Sequence, residues 1–286
     1  MFKGNKRMIS VTKLKTKIIN EKRVFIIKFN LLIKKLSICI LSCTIAFVAF
    51  TPTVFTTFEY DEPPLCVAAK EGNLDEVQQL VVGGANVNCT GYLQYTPLHY
   101  AAIEGYLEVV EYLVNEGHAD VDCRDMDGRT PFHRASIVGN LEIVRWLVAE
   151  GNVNVNCQDE GGRTALFFAA INGHLSVVRW LVEEGNADVI FQDEHRQTPL
   201  HVAAVLSSSE VVRYLVEEGH AEVDSQDENG RTPLHMAAIF GRTDTAEILI
   251  QHGADENTPD NENKTPMMIA QENGLFDFVQ MLNRYV

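Results

Sequence analysis

Sequence motifs that mark common enzyme and metal sites are missing from this 286-residue chain. Its six cysteines include no pair at CxxC spacing, which argues against a zinc site built on such pairs. The chain has no P-loop, no GxGxxG after a strand, no HExxH and no GxSxG, the motifs of common nucleotide-binding and hydrolytic sites. The sequence therefore predicts no catalytic residue, no metal ligand and no cofactor.

Positive charge is scarce after residue 35. Residues 1–35 hold eleven Lys or Arg and one acidic residue, whereas the rest of the chain holds thirteen basic and thirty-eight acidic residues. Such asymmetry indicates two segments with different roles. The acidic majority argues against nucleic acid as a ligand, because the phosphates would be repelled. We expect residues 1–35 to be a basic, poorly ordered N-terminal extension.

Long hydrophobic runs are also missing, apart from residues 36–58, which contain no charged side chain. A helix of about 20 apolar residues crosses a hydrocarbon core of ~30 Å, so the length is sufficient. The strongly apolar part ends at Phe50, however, and a run of that size is nearer the core of a signal peptide. We predict a transmembrane anchor or a signal core here, with an uncleaved extension as the alternative. The favoured localisation is membrane-associated or exported, and otherwise cytoplasmic.

A repeated pattern fills the remainder of the chain. Words similar to TPLHYAA recur with a step of 34 residues, starting at Thr96, Thr130, Thr164, Thr198 and Thr232. A weaker copy starts at Thr265, and PPLCVAA at Pro63 opens the series. Seven units therefore occupy residues 59–286. A period of this length is typical of stacked repeats, in which no unit can bury its apolar face alone.

Each unit carries the signals of two helices and a turn. Thr130 suits an N-cap, and Pro131 suits the first helical turn. The first helix is predicted to end at Gly139, because glycine adopts a left-handed conformation at little cost. The stretch LEIVRWLVAE at residues 141–150 then places apolar side chains on one face of a second helix. An Asp-Gly pair in VDCRDMDGRT predicts the turn that leads to the next cap.

Four features together resemble the ankyrin-repeat family: TPLHxAA, the glycine after the first helix, the LEVVEYLV-like second helices and the GRT lead-in. The resemblance covers residues 59–286. It implies an all-α solenoid of seven ankyrin-like helix-turn-helix repeats with projecting hairpin loops, which binds a partner protein and is not an enzyme. It also implies that threonine and histidine hydrogen-bond to each other and to neighbouring backbone in Thr96, His99, Thr130, His133, Thr198, His201, Thr232 and His235.

The recurring histidines and cysteines are not predicted to form metal sites or disulfides. Equivalent positions in stacked units lie ~8–10 Å apart, whereas zinc-bound nitrogens lie ~2.1 Å from the metal. Phe167 replaces the histidine in the fourth unit without a change of period. Cys89, Cys123 and Cys157 are also 34 residues apart, and a disulfide needs Cα atoms within ~7 Å. We expect these cysteines and Cys66 to be small, buried or half-buried thiols.

The resemblance implies that a partner binds the concave side, which is built from the loop tips and the first helices. Carried over to this chain, the predicted partner-binding residues are Tyr92, Leu93, Met126 and His195 at the tips, Tyr100, Arg134, Phe168 and Met236 along the first helices, and Val138, Leu206 and Phe240 near their ends. We expect Phe168, Leu206 and Phe240 to form an exposed apolar patch. Packing between units explains Leu206 and Phe240 equally well.

Acidic loop tips over an apolar floor predict a basic, partly apolar segment of a partner protein, bound by a monomeric repeat domain. One alternative is an exported or membrane-anchored microbial effector that acts on a host protein. An alternative from another class is an enzyme or enzyme regulator whose site carries no recognisable motif.

The fifth unit departs twice from the pattern, which predicts a weak point or a hinge around residues 195–209. Arg196 stands where other units have Gly128 or Gly230, so a positive φ would be strained there. Ser207 stands where other units have the glycine that closes the first helix. We expect backbone amides of this stretch to exchange hydrogen faster than those of the flanking units. Equal or slower exchange would remove the hinge.

Overall fold

The computed structural model describes residues 62–206 and 209–285. This part of the chain contains fourteen α-helices and no β-strand. None of its helices is both long enough and apolar enough to span a bilayer. The segments 1–35 and 36–58 lie outside the described residues, so what was predicted for them stays a prediction.

The helices form seven pairs, and in six of them a short turn joins the two helices within the described residues. The first helices of the pairs are α1 (Pro64–Glu71), α3 (Pro97–Glu104), α5 (Pro131–Val138), α7 (Ala165–Ile171), α9 (Pro199–Ala203), α11 (Pro233–Phe240) and α13 (Pro266–Glu272). The second helices are α2 (Leu74–Val82), α4 (Leu107–Asn115), α6 (Leu141–Ala149), α8 (Leu175–Glu183), α10 (Ser209–Glu217), α12 (Thr243–Gln251) and α14 (Phe276–Leu282).

The helices pack in two layers. Each first helix packs on the first helices of the adjoining units and on its own second helix, and the second helices pack on one another in the same order. Leu98 and Leu234 of the first layer and Val110 and Val144 of the second are fully buried in the common core. Because each unit is covered by its neighbours, the core runs the length of the array. The predicted all-helical solenoid of seven repeats is confirmed.

The Thr-His pairs link neighbouring units. The backbone N–H of Thr130 donates to His133 Nδ1 (3.2 Å), and the Thr130 hydroxyl lies 2.9 Å from the same atom. Because Nδ1 accepts, the neutral ring carries its proton on Nε2, which donates to the backbone carbonyl of Cys157 in the next unit (3.0 Å). The other three pairs make the same cap, and His99, His201 and His235 donate from Nε2 to the backbone carbonyls of Arg129, Arg231 and Lys264, a few residues further along the next hairpin than Cys157.

Burial keeps these histidines neutral. It lowers the pKa of His133 from 6.5 to about 4, although the charge of Asp159 opposes the shift. Burial also lowers the pKa of His99, His201 and His235. A neutral ring preserves the acceptor on Nδ1 and with it the helix cap. Because protonation would remove this acceptor from the four histidines, the packing between units is sensitive to acid.

The fifth unit differs from the others in its backbone. Arg196 has φ +61°, where Gly128 and Gly230 have +71° and +74°, so this non-glycine residue occupies a left-handed turn position. Helix α9 is only five residues long, while α7 has seven and α11 has eight. Ser207, the other residue at which this unit departs from the repeat pattern, lies outside the described residues.

The lowered pKa of His133 predicts that the folded protein becomes less stable in acid. Between pH 6.5 and 4 the unfolded chain binds a proton at this residue that the folded chain does not, so the free energy of unfolding falls as the pH decreases through that window. In His133→Phe, the residue found at position 167, this loss should be smaller by on the order of 3 kcal/mol. Urea denaturation midpoints at pH 7, 6, 5 and 4.5 measure it.

The matched control is His118→Asn, because the equivalent positions 152 and 186 already hold asparagine with the same positive φ. His118 is exposed and belongs to none of the four Thr-His pairs. The stability of the variant should therefore change with pH as that of the parent chain does. Parallel pH profiles for His133→Phe and the parent would show that His133 does not contribute to the acid sensitivity.

Candidate functional site

A buried aspartate begins five of the six hairpins between units, and Gly91 takes its place in the first. Asp125 Oδ1 accepts the backbone N–H groups of Asp127 (2.8 Å) and Arg129 (3.1 Å), which closes the turn. The same pair of bonds, to the second and fourth following residues, recurs at Asp159, Asp193, Asp227 and Asp260. All five carboxylates are buried. Sequence reasoning missed them, although an aspartate five residues before five of the six repeat threonines, all except Thr96, is a visible signal.

The residue that follows this aspartate, or Gly91 in the first hairpin, is exposed at the end of its hairpin. We call these equivalent residues the tip row: Tyr92, Met126, Glu160, Glu194, Glu228 and Asn261. Every member is exposed, including Tyr92 at 56% and Met126 at 52%. Next to the row lie Leu93, which is half-buried, and His195, whose side chain is 45% exposed. Of the predicted tip residues, Tyr92 and Met126 are therefore exposed, whereas Leu93 and His195 are partly buried.

Backbone hydrogen bonds join each tip to the one before it. Met126 N–H donates to the carbonyl of Leu93 (3.1 Å), and Glu160 N–H donates to that of Asp127 (3.4 Å). Glu194, Glu228 and Asn261 continue the series at 2.9 Å each. The tips are therefore fixed relative to one another and are not independent loops.

The first-helix positions differ from the expectation. Tyr100, Phe168 and Met236 were expected to face a partner, but only 5%, 5% and 6% of each side chain is exposed. Neighbouring side chains cover them. Tyr100, for example, donates from its hydroxyl to the Glu62 carboxylate. The expectation that these three side chains face solvent is wrong.

Arginines and aspartates cover Phe168 and its neighbours. The guanidinium carbons of Arg129 and Arg163 lie 4.7 and 5.2 Å from the Phe168 ring centroid, which are cation-π distances. Arg129 and Arg163 also pair with Asp159, at 3.3 and 2.7 Å. A neighbouring arginine, Arg134, is half-buried and mostly committed to internal partners. The side chains around Phe168 therefore bind one another and leave little surface for a partner.

Arg134 completes this network in the second and third units. Its guanidinium lies 2.6 Å from Asp125 Oδ2 and 2.9 Å from Asp127 Oδ2. The guanidinium carbon stands 4.9 Å from the centroid of the Tyr95 ring. Only 11% of the Arg134 side chain is exposed, so it offers a partner little surface.

The predicted residues at the first-helix ends do not form the expected patch. Val138 is 40% exposed, whereas Leu206 and Phe240 are half-buried. Phe240 packs against the hydrophobic core. Because Phe168 is buried, the proposed patch of Phe168, Leu206 and Phe240 is not a continuous exposed surface.

The buried aspartates differ in electrostatics along the array. Burial opposes the ionisation of Asp159, yet the hydrogen bonds and charge of Arg163 lower the pKa of its carboxyl. Gln197 stands in the arginine's place in the next hairpin, and burial there raises the pKa of Asp193. The carboxylate of Asp159 is thus stabilised by an arginine that Asp193 lacks.

No group of three His, Cys, Asp or Glu side chains could hold a metal ion among residues 62–206 and 209–285. Cys66, Cys89, Cys123 and Cys157 are free thiols, the first buried and the others half-buried. One proximity was missed: Cys66 Sγ lies 3.7 Å from Cys89 Sγ. Cys66 occupies the histidine position of its unit, and that position faces the cysteine position of the following loop.

Phe168 should behave as a core residue when it is replaced. We expect Phe168→Ser to lower the free energy of unfolding by about 3 to 5 kcal/mol, because it leaves a cavity and strips Arg129 and Arg163 of their aromatic contact. The matched control Val138→Ser changes an exposed side chain and should stay within about 0.5 kcal/mol of the parent. Chemical denaturation of both variants measures this. A stable Phe168→Ser chain would contradict the burial of the ring.

Three comparisons with known proteins agree with this architecture. The family described as Ankyrin repeats matches three times, over residues 65–159, 149–227 and 219–285. The crystal structure of the ankyrin repeat domain of Bcl-3, described as a unique member of the IkappaB protein family, superposes with a TM-score of 0.64. That match has 31% sequence identity and covers 78% of this chain and 100% of the other.

A curated relative matches over a shorter stretch. Myotrophin of Xenopus tropicalis is 46% identical over 50 residues, which are 18% of this chain and 42% of that protein. The matched stretch thus spans less than half of that relative. The family match, by contrast, extends through all seven helix pairs. The chain belongs to the ankyrin repeat family.

Proposed function

We propose that the protein is a non-catalytic scaffold that binds a partner protein through the tip row and the surface beside it. The observation that carries this proposal is the exposure of Tyr92 and Met126, each more than half accessible, at the ends of hairpins that are hydrogen-bonded to one another. Large apolar side chains held rigidly in solvent are typical of protein interaction sites.

The buried polar groups support binding over catalysis. Both ring nitrogens of His133 are occupied, one by the cap of its own helix and one by the next unit. Its pKa is lowered by burial, and it faces no cleft. Arg129 and Arg134 are paired with aspartates in the same way. These groups therefore maintain the scaffold.

The charge of the tips indicates the kind of partner. Glu160, Glu194 and Glu228 occupy three successive positions of the tip row and are exposed. A basic and partly apolar protein segment would be attracted to this row, whereas nucleic-acid phosphates would be repelled. Electrostatic complementarity of this kind speeds association and selects between partners more than it adds affinity.

Site-specific photo-crosslinking tests the proposed surface. A benzophenone amino acid replaces Met126 or Glu194 in the full chain, in cells that express it, and irradiation should yield covalent adducts with another protein. The physical reason is proximity: a partner bound to the tips lies within reach of the probe. Denaturing gels of the purified chain measure the adducts.

The matched control places the same probe at Arg145, an exposed residue of the second-helix layer. We expect few or no adducts from that position. Adducts formed mainly from Arg145, or equally from every position, would show that the tip row is not the interaction surface.

A further inference from the structure

The tip row changes character along the array. Its first two members, Tyr92 and Met126, are exposed and apolar, and Leu93 beside them is half-buried. The next three members, Glu160, Glu194 and Glu228, are acidic. From Met126 to Asn261 the tips follow the same aspartate-closed turn, so the change from apolar to acidic along them is a property of the side chains. The first hairpin differs in backbone, with Gly91 in place of the aspartate and a positive φ at Leu93. The row has an apolar end and an acidic stretch.

The spacing of the row is set by close packing between hairpins. A Cβ atom on Gly128 would stand 2.8 Å from the backbone nitrogen of Glu160, and one on Gly162 would stand 3.0 Å from that of Glu194. Glycine avoids this close contact in two hairpins, whereas Gln94 and Arg196 occupy the same position with positive φ. The tips that follow them, Met126 and Glu228, still donate to the preceding hairpin at 3.1 and 2.9 Å. The step between equivalent tips therefore follows the helix spacing of ~8–10 Å.

This step matches the geometry of an extended polypeptide. An extended chain rises about 3.3 Å per residue, so three residues advance it by about 10 Å, or one tip. Every third side chain of an extended segment could therefore meet a successive tip. A helical segment rises only about 1.5 Å per residue and would need six or seven residues for one step.

We propose that the apolar tips Tyr92, Leu93 and Met126 dock an extended segment of another protein, in which apolar side chains are followed by basic side chains at every third position. The basic side chains lie over Glu160, Glu194 and Glu228. This inference rests on the proposed function and adds the conformation and the spacing of the partner.

Charge complementarity selects a cationic occupant. The arginines nearest the row, Arg129 and Arg163, already pair with the buried Asp159, so they do not neutralise the exposed glutamates. His195 is the internal partner of the acidic stretch, at 3.0 Å from Glu228 and 3.6 Å from Glu194.

Arg196 is an exposed cation of the same hairpin. The stretch therefore contains three glutamates against one arginine and one histidine, and its charge stays negative. A partner lysine or arginine would gain a favourable ion pair at each tip, whereas a phosphate or a carboxylate would not. Ion pairs at such exposed positions weaken as salt is added.

A synthetic peptide of defined spacing tests this inference. The probe is fluorescein-labelled Leu-Ser-Ser-Phe-Ser-Ser-Lys-Ser-Ser-Lys-Ser-Ser-Lys, made also in reversed order so that both chain directions are sampled. The comparison peptide, Leu-Ser-Ser-Phe-Ser-Ser-Ser-Ser-Ser-Ser-Lys-Lys-Lys, has the same composition with contiguous lysines. Fluorescence anisotropy with the full chain in detergent at low salt measures the dissociation constants. We expect one direction of the spaced peptide to bind about tenfold more tightly than the clustered peptide.

Two tip variants and one matched control assign the binding to the row. Glu160→Gln, Glu194→Gln and Glu228→Gln together should weaken the spaced peptide about tenfold, and Met126→Ser should weaken it through loss of the apolar contact. The control combines Glu116→Gln, Glu150→Gln and Glu184→Gln, which remove the same charge from exposed ends of the second helices. The control should bind like the parent. Circular dichroism checks that each variant is folded.

The outcomes separate this inference from the proposed function. If both peptides bind equally and both are weakened by the tip variants, the tip row binds protein but the three-residue spacing is wrong. If no peptide binds, or the control variant weakens binding as much as the tip variant, the docking proposal is overturned. The photo-crosslinks from position 126 then decide separately whether the tip row binds any protein.

Discussion

The buried aspartate at the start of five of the six hairpins is the interaction on which the arrangement of their tips depends. Its Oδ1 atom holds two backbone N–H groups, as Asp159 holds those of Gly161 and Arg163 at 2.9 Å. A carboxylate that accepts backbone N–H groups makes strong bonds, and a buried one that lost them would be costly. The turn is therefore fixed, and the next residue projects outward. Each hairpin can then meet its neighbour in one register.

This local constraint connects the sequence repeat to the binding surface. In four units a Thr-His pair fixes the start of the first helix and ties the unit to the next, and the buried helix faces supply the hydrophobic stabilisation. Residues that make these caps and packing contacts therefore have little freedom to vary. The tip residues are free to vary because they contribute little to stacking. Specificity can thus reside in the tip row, where this chain places Tyr92 and Met126 beside three glutamates.

Much of the fold was predictable because periodicity, caps and turn residues all report on local backbone. The step of 34 residues, the Thr-Pro cap and the glycine at position 139 suffice for seven helix pairs. The burial of the side chains along the first helices was not predictable in the same way. Helical spacing places Phe168 at an edge, but whether an edge is open depends on the long side chains of Arg129 and Arg163, which fold over it from other hairpins. The Cys66 and Cys89 contact was hidden because the two residues occupy different positions of the repeat.

The most direct test of the rigid tip row is native-state hydrogen exchange at the backbone amides of Glu160 and Glu194. Each donates to the preceding hairpin, at 3.4 and 2.9 Å. We predict protection comparable to that of helix amides in the same units, since opening these bonds requires neighbouring units to separate. Exchange at the rate of unprotected loop amides would contradict the account, because independently moving tips could not present a partner with a row of fixed spacing.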